Sequence, residues 1–278
     1  MLYATVYGLH RGLKGIRRED LEHAHYLDEQ VQDKYGVKYQ KFWMNEESGT
    51  LFCLMEGPNI EACAKVHQEA HGMLACEIIE VHPSDFATIM GPDITTPTGI
   101  AVHPDGKLDA AIRTFLFTDI VNSTSLTDQY GDIIGMTILR KHNEIVRNSL
   151  QEHTGTEVKH TGDGIMATFM TSSKALHCAL QIQHDLMEYR NKNPNTPLHV
   201  RIGINAGEPV TEGNDFFGAA VQLTKRICDV ASPDQILISD IVKGLVMGRN
   251  FKFEELAAVT LKGFSQPVKT FIVHQLER

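Results

Sequence analysis

Apolar and polar positions alternate along residues 2–8 as they do in a half-buried strand. Over 18–34 the period changes to that of a polar, acidic amphipathic helix, with Asp20 near its start. Residues 37–44 and 50–55 are two β-rich runs, and the polar stretch 45–49, with a glycine at its end, reads as the hairpin loop between them. Residues 59–71 return to helical spacing and stop at Gly72, and 77–81 reads as a last strand. The order β-α-β-β-α-β predicts a ferredoxin-like arrangement for the N-terminal third.

A second pattern opens on a buried strand at 112–117. Helices are expected over roughly 123–128, 132–152 and 172–190, the last stopped by Asn191 and Pro194, with a hairpin at 157–169. Strands at 198–206 and near 235–239, 251–258 and 268–275 follow, with a helix at 217–231. Strands and helices alternate throughout, which predicts a sheet covered by helices.

Between the two patterns, four of the ten prolines (Pro83, Pro92, Pro97, Pro104) fall close together, with Gly91, Gly99 and Gly106 in or beside them. Such a stretch holds neither a regular helix nor an inner strand. The expected layout is therefore α+β: a small domain over 1–86, a Pro-rich linker over 87–108 and a larger domain over 109–278.

Composition narrows the function classes. At 42% hydrophobic and 22% charged, the 278-residue chain is globular rather than disordered. A net charge of −9, concentrated in the first ninety residues, argues against a nucleic-acid partner. No run approaches ~18 apolar residues and the first residues lack a long apolar core, so no membrane segment or secretory leader is expected. Five cysteines, at 53, 63, 76, 178 and 228, fit reduced thiols and a cytoplasmic location better than a disulfide framework.

Two motifs carry chemistry. Residues 117–124, Phe-Thr-Asp-Ile-Val-Asn-Ser-Thr, form a strand ending at Asp119 that turns into a helix. A carboxylate there can hold a divalent cation, and the N–H groups of the helix start can cradle phosphates. Residues 158–166 place Asp163 in a Thr-Gly-Asp-Gly turn between two β runs. Either motif alone is an ordinary turn or cap. Together they offer two carboxylates for two Mg²⁺ or Mn²⁺ ions over a triphosphate.

With these motifs in the order Phe-Thr-Asp-Ile-Val-x-Ser-Thr, Lys-x-x-Gly-Asp-Gly, Arg-Ile-Gly-Ile-Asn-x-Gly and Asp-x-x-Gly-x-x-Val, residues 110–275 resemble a class III nucleotidyl cyclase catalytic domain. The resemblance implies a second ferredoxin-like domain. It implies that Asp119, Asp163 and the backbone carbonyl of Ile120 hold the metals. Val121, Asn122, Ser123 and Thr124 would bind phosphate. Lys159 and Asp215 would select the purine, Arg226 would stabilise charge on the transferred phosphate and Lys262 would contact the terminal phosphates. Gln222 stands where many relatives carry an asparagine that orients the ribose. Adenine presents an acceptor to Lys159 and a donor to Asp215, whereas guanine reverses the pattern, so the pair favours ATP. The family builds each site from two subunits, and all the parts are present in this one chain, so a homodimer is implied. A guanylyl cyclase and a catalytically silent, ligand-binding cyclase fold are the alternatives.

In the N-terminal third, Cys63, His67 and His71 recur every four residues and share one helix face. His67 and His71 can share a Ni, Zn or Cu ion, or simply pack. The segments His25-x-x-Asp28, Tyr35-Gly-Val37, Phe52-Cys-Leu54, Glu56-x-Pro58 and Val66-His-x-x-Ala-His-Gly72 resemble a small bacterial ferredoxin-like family with a nickel-binding member. That resemblance implies a metal at His25, Asp28, Cys53, His67 and His71, with His10, His23 and Cys76 as weaker candidates. It also implies a regulatory role toward the cyclase.

Overall fold

A computed structural model of the chain describes residues 4–13, 15–46, 49–81, 90, 94–103, 106–208 and 218–274. Asp215, the expected purine aspartate, lies outside the described residues. The chain forms two compact units, residues 1–111 and 112–278.

The first unit runs β1 (Ala4–His10), α1 (Arg18–Val31), β2 (Lys38–Asn45), β3 (Thr50–Gly57), α2 (Ile60–Ala70) and β4 (Glu77–Val81). The helix expected to reach residue 34 ends at Val31 and tightens into a 3-10 turn, Gln32–Tyr35, closed by Gly36 in the left-handed region (φ 64°). The sheet order is β2-β3-β1-β4 with every neighbour antiparallel. This is the expected ferredoxin-like order, in which each β-α-β unit leaves room for one strand of the other. Val6, Val37, Phe42, Met55, Cys63 and Val66 form the core beneath α1 and α2.

The segment read as a linker is built onto this unit over residues 94–103 and 106–109. The Phe42 N–H donates to the Gly99 carbonyl, and the Ala101 N–H donates to the Phe42 carbonyl. Ile100 is buried in the core, and Trp43 Nε1 donates to the buried Asp109 carboxylate at 3.2 Å. Proline spacing forbids a regular element here but permits isolated bridges, and the segment makes one to β2 at Phe42 and two within itself.

The second unit runs β5 (Arg113–Ile120), α3 (Ser123–Tyr130), α4 (Asp132–Glu152), β6 (Thr156–His160), β7 (Ile165–Phe169), α5 (Ser172–Lys192), β8 (Val200–Gly207), α6 (Gly218–Val230), β9 (Ile236–Ser239), α7 (Asp240–Leu245), β10 (Lys252–Glu255) and β11 (Thr270–His274). Its seven strands lie in the order β10-β11-β9-β8-β5-β7-β6. The four strands β8-β5-β7-β6 are mutually antiparallel and repeat the ferredoxin-like order of the first unit. Strands β9, β11 and β10 extend the sheet past β8. Strand β5 is buried along its whole length, so its end is a fixed platform for Asp119.

Candidate functional site

The end of β5 and the tip of the β6–β7 hairpin meet because Gly164 has no side chain. A Cβ there would stand 1.9 Å from the Thr118 carbonyl oxygen. The close approach lets the Ile120 N–H donate to the Asp163 carbonyl at 3.2 Å and the Ile165 N–H donate to Thr118 Oγ1 at 3.0 Å. Asp119 and Asp163 are thus held on adjoining backbone. Gly164→Ala forces these strands apart. It is expected to lower stability by about 1–3 kcal/mol, measured by denaturant melts.

Past Ile120 the chain turns at Asn122, in the left-handed region (φ 56°), and enters α3 with no side-chain cap on its first turn. The N–H groups of that turn therefore have no helical partner. Ser123 Oγ donates to Asp163 Oδ2, placing the helix start directly beside the second carboxylate. A pocket of about 430 Å³ opens here, lined among others by Ile120, Ser123, Thr124 and Asp163.

Asp119 is 6% exposed and is held by two cations of its own chain. Arg201, its cross-strand partner on β8, puts Nε at 2.8 Å and a terminal nitrogen at 2.7 Å from Oδ2. Lys225 on α6 puts Nζ 3.0 Å from Oδ1. Helix α6 comes this close because β8 carries Gly203, where a Cβ would lie 2.3 Å from the Cys228 nitrogen. Sequence reading quoted the motif containing Arg201 without giving that side chain a role, and it passed over Lys225. The signal available was a cation beside a strand position that faces an aspartate.

His142 was also passed over. It is fully buried on α4, and burial pulls its pKa down to about 4, so it is neutral. Its Nε2 lies 3.0 Å from Thr118 Oγ1, which braces the strand under Asp119.

The other expected site residues that are described come from other elements. Lys159 is exposed on the edge strand β6, and Gln222 and Lys262 are exposed. Arg226 pairs with Asp229 at 3.1 Å. Among the described residues, none of Gln222, Arg226 and Lys262 is bonded to Asp119 or Asp163.

The donor set fits the implied ions. Two carboxylates and a carbonyl are hard oxygen ligands suited to Mg²⁺ or Mn²⁺. The two cations now balancing Asp119 mark it as a point where positive charge is held.

The first unit has its own cluster. The ligand atoms of His10, Cys53 and His67 lie within 4.8 Å of one another, as do those of Asp28, His67 and His71. Cys53 Sγ is 3.6 Å from His10 Nε2 and 3.8 Å from His67 Nε2, and His71 Nε2 is 3.1 Å from Asp28 Oδ1. They converge because β1, β3, α1 and α2 each turn one such residue into the same gap under the sheet. His67 Nδ1 is buried without a hydrogen-bond partner. The gap has about 20 Å³ of free volume, room for one ion or water. This nitrogen and sulfur set fits Ni, Zn or Cu better than Mg²⁺.

His10, named as a weaker candidate, falls in the cluster because it ends β1 opposite α2. His25 lines the gap but falls in neither ligand group; its ring lies against Phe42 and against the backbone of Gly99. His23 and Cys76 are exposed and outside it.

Burial holds His10 at a pKa of about 4 and His67 at about 3, both below the unfolded value, and pushes the Cys53 thiol up. As pH falls below ~6.5 the unfolded chain takes up protons that the metal-free folded unit refuses. Its stability is therefore expected to fall progressively from pH 7 toward pH 4. Near-UV melts that follow Trp43 check this, and His67→Gln should flatten the slope.

Two family models match the chain. Residues 110–275 match the model of the adenylate and guanylate cyclase catalytic domain, more than half the chain, and the protein belongs to that family. Residues 9–81 match the model described as nickel responsive protein SCO4226-like. An adenylate cyclase of Podospora anserina is 32% identical over 164 residues, which cover 48% of this chain and 8% of that protein. Among solved structures, an adenylate/guanylate cyclase/hydrolase from Silicibacter pomeroyi is 30% identical, with a TM-score of 0.51 over 58% of this chain and 95% of that one. The adenylyl cyclase CyaB from P. aeruginosa shares the fold at 22% identity, with a TM-score of 0.54 over 60% of this chain and 95% of that one. Among the described residues no helix is long and apolar enough to cross a membrane.

Proposed function

We propose that the protein is an adenylyl cyclase that converts ATP to 3′,5′-cyclic AMP and pyrophosphate at a homodimer interface, under control of a metal bound in its first unit. The observation that carries the reading is the meeting of Asp119 and Asp163 beside the uncapped first turn of α3.

Asp119, Asp163 and the Ile120 carbonyl would hold two Mg²⁺ or Mn²⁺ ions. Bound there, the ions would activate the ribose 3′-hydroxyl and neutralise the departing pyrophosphate. The first-turn N–H groups of α3, with Val121, Asn122, Ser123 and Thr124, receive the triphosphate. Arg201 stands beside Asp119 with further donors for a phosphate oxygen.

The remaining parts act from a second copy. Among the described residues, Arg226, Gln222 and Lys262 make no bond to Asp119 or Asp163 of their own chain, which suits residues that complete the partner's site. There Arg226 stabilises charge on the α-phosphate, Gln222 orients the ribose and Lys262 meets the terminal phosphates. Lys159 donates to adenine N1, and Asp215 accepts from its amino group.

In the first unit, His10, Cys53 and His67, with Asp28 and His71 beside them, would hold a transition metal such as nickel. The segment 94–109, which leads into the cyclase strand β5, is seated on the same elements. His25 of α1 touches both Phe42 and the Gly99 backbone, and Thr98 Oγ1 donates to Glu22 of α1 at 2.9 Å. A shift of α1 toward a bound metal reaches this segment directly.

The test of the nucleotide reading offers ATP or GTP to wild type and to Lys159→Ala. Wild type should form cyclic AMP in preference to cyclic GMP. The variant should lose roughly 10- to 100-fold in kcat/KM for ATP and narrow the preference. Preferential cyclic GMP formation would reassign the substrate.

A further inference from the structure

Both oxygens of Asp119 are occupied by cations of the same chain, and the two cations are held differently. Arg201 grips Oδ2 with two nitrogens and is itself anchored, its NH1 donating to the Asp229 carbonyl at 2.7 Å. Lys225 is shared. Its Nζ lies 3.0 Å from Asp119 Oδ1 and 2.8 Å from Asp229 Oδ1, and its side chain is 34% exposed. The Asp163 carboxylate, by contrast, accepts the Ser123 hydroxyl and pairs with no cation among the described residues.

A divalent ion and an ammonium group compete for Asp119 Oδ1. The ion needs an oxygen lone pair at about 2.0–2.1 Å, and the two positive charges would repel at short range. Lys225 has somewhere to go: Asp229 is one helical turn further along α6 and already within hydrogen-bonding distance. Arg201 is held in place by the backbone as well, through its bond to the Asp229 carbonyl.

We propose that Lys225 is a tethered counter-cation that holds the metal position on Asp119 Oδ1 and moves onto Asp229 when a divalent ion enters. The inference rests on the reading of Asp119 as a metal ligand. It makes binding of the bare ion at Asp119 weak. Entry together with a nucleotide is favoured, because the triphosphate supplies the negative charge that compensates both the ion and the displaced ammonium. Lys225 is thus a positioning residue for the metal, acting from the same chain as the carboxylates, whereas Arg226 next to it contacts Asp229 alone.

The test is Mn²⁺ binding to the full-length protein without nucleotide, read from the electron paramagnetic resonance signal of free Mn²⁺, in wild type, Lys225→Met, Lys225→Gln, Arg226→Met, Asp229→Asn and Asp119→Asn. The component lost in Asp119→Asn defines the site. For that component, both Lys225 variants should bind about tenfold more tightly or better, Arg226→Met should change it much less and Asp229→Asn should weaken it. Equal tightening in Lys225→Met and Arg226→Met would show a general field effect and overturn the displacement, as would unchanged or weaker binding in the Lys225 variants. If Asp119→Asn binds Mn²⁺ as wild type does, it is the metal reading of Asp119 that fails, a separate outcome.

Discussion

Asp119→Asn and Arg226→Ala, each purified alone, are expected to make less than about a thousandth of the wild-type cyclic AMP, and co-expressed they are expected to recover about a quarter of it. Asp119 lies beside Asp163, whereas Arg226 of the same chain is bonded to Asp229 and not to either carboxylate. If Arg226 serves the partner's carboxylates, each single variant spoils both sites of its dimer. A mixed dimer concentrates both lesions in one site and leaves the other whole. Half the dimers in a random mixture are mixed, each with one working site of two. Asparagine keeps the shape of Asp119, so the loss reports its charge. Because Arg201 and Lys225 lose their partner in this variant, a melt should be run alongside to show that the fold is retained.

The second large effect concerns the first unit. Ni²⁺ at about a hundredfold over its Kd should stabilise that unit by about 2.7 kcal/mol, a rise in Tm on the order of 10 °C. A thiolate-to-metal absorption band should accompany binding and vanish in Cys53→Ser, and His67→Ala should abolish binding, since His67 belongs to both ligand groups. Trp43 is the only tryptophan, and it is bonded to Asp109 at the end of the segment that leads into β5. Its fluorescence should change with the same midpoint as the absorption band. Metal binding that leaves Trp43 unchanged would separate the metal site from the proposed coupling. Absence of both signals would remove the metal.

The elements were legible in the sequence because both units keep one face buried and one period per element. Alternation at 2–8, the β-rich runs about residue 45 and the glycine stop at 72 correspond to observed strands, hairpin and helix end. Asp119 and Asp163 were legible because a short motif carries both the carboxylate and the backbone turn that aims it. What sequence could not give was pairing across distance. Arg201 and Asp119 are 82 residues apart and meet only through β-sheet register, and Lys225 arrives through the bare backbone of Gly203. Likewise His10 joins Cys53 because β1 and β3 are neighbours in space, and His25, well spaced with Asp28 along α1, turns toward Phe42 instead. The proline-rich segment misled for a related reason. Prolines exclude a regular element, but they do not exclude one bridge to β2 and one buried isoleucine.

The central claim is tested most directly by incubating the purified full-length protein with ATP and Mn²⁺ or Mg²⁺, with and without Ni²⁺, and identifying products by mass spectrometry. The account predicts 3′,5′-cyclic AMP and pyrophosphate in equal amounts from wild type and neither from Asp119→Asn. No cyclic nucleotide from wild type under any of these conditions, with ATP or GTP, would contradict it and leave a cyclase fold that binds without catalysing.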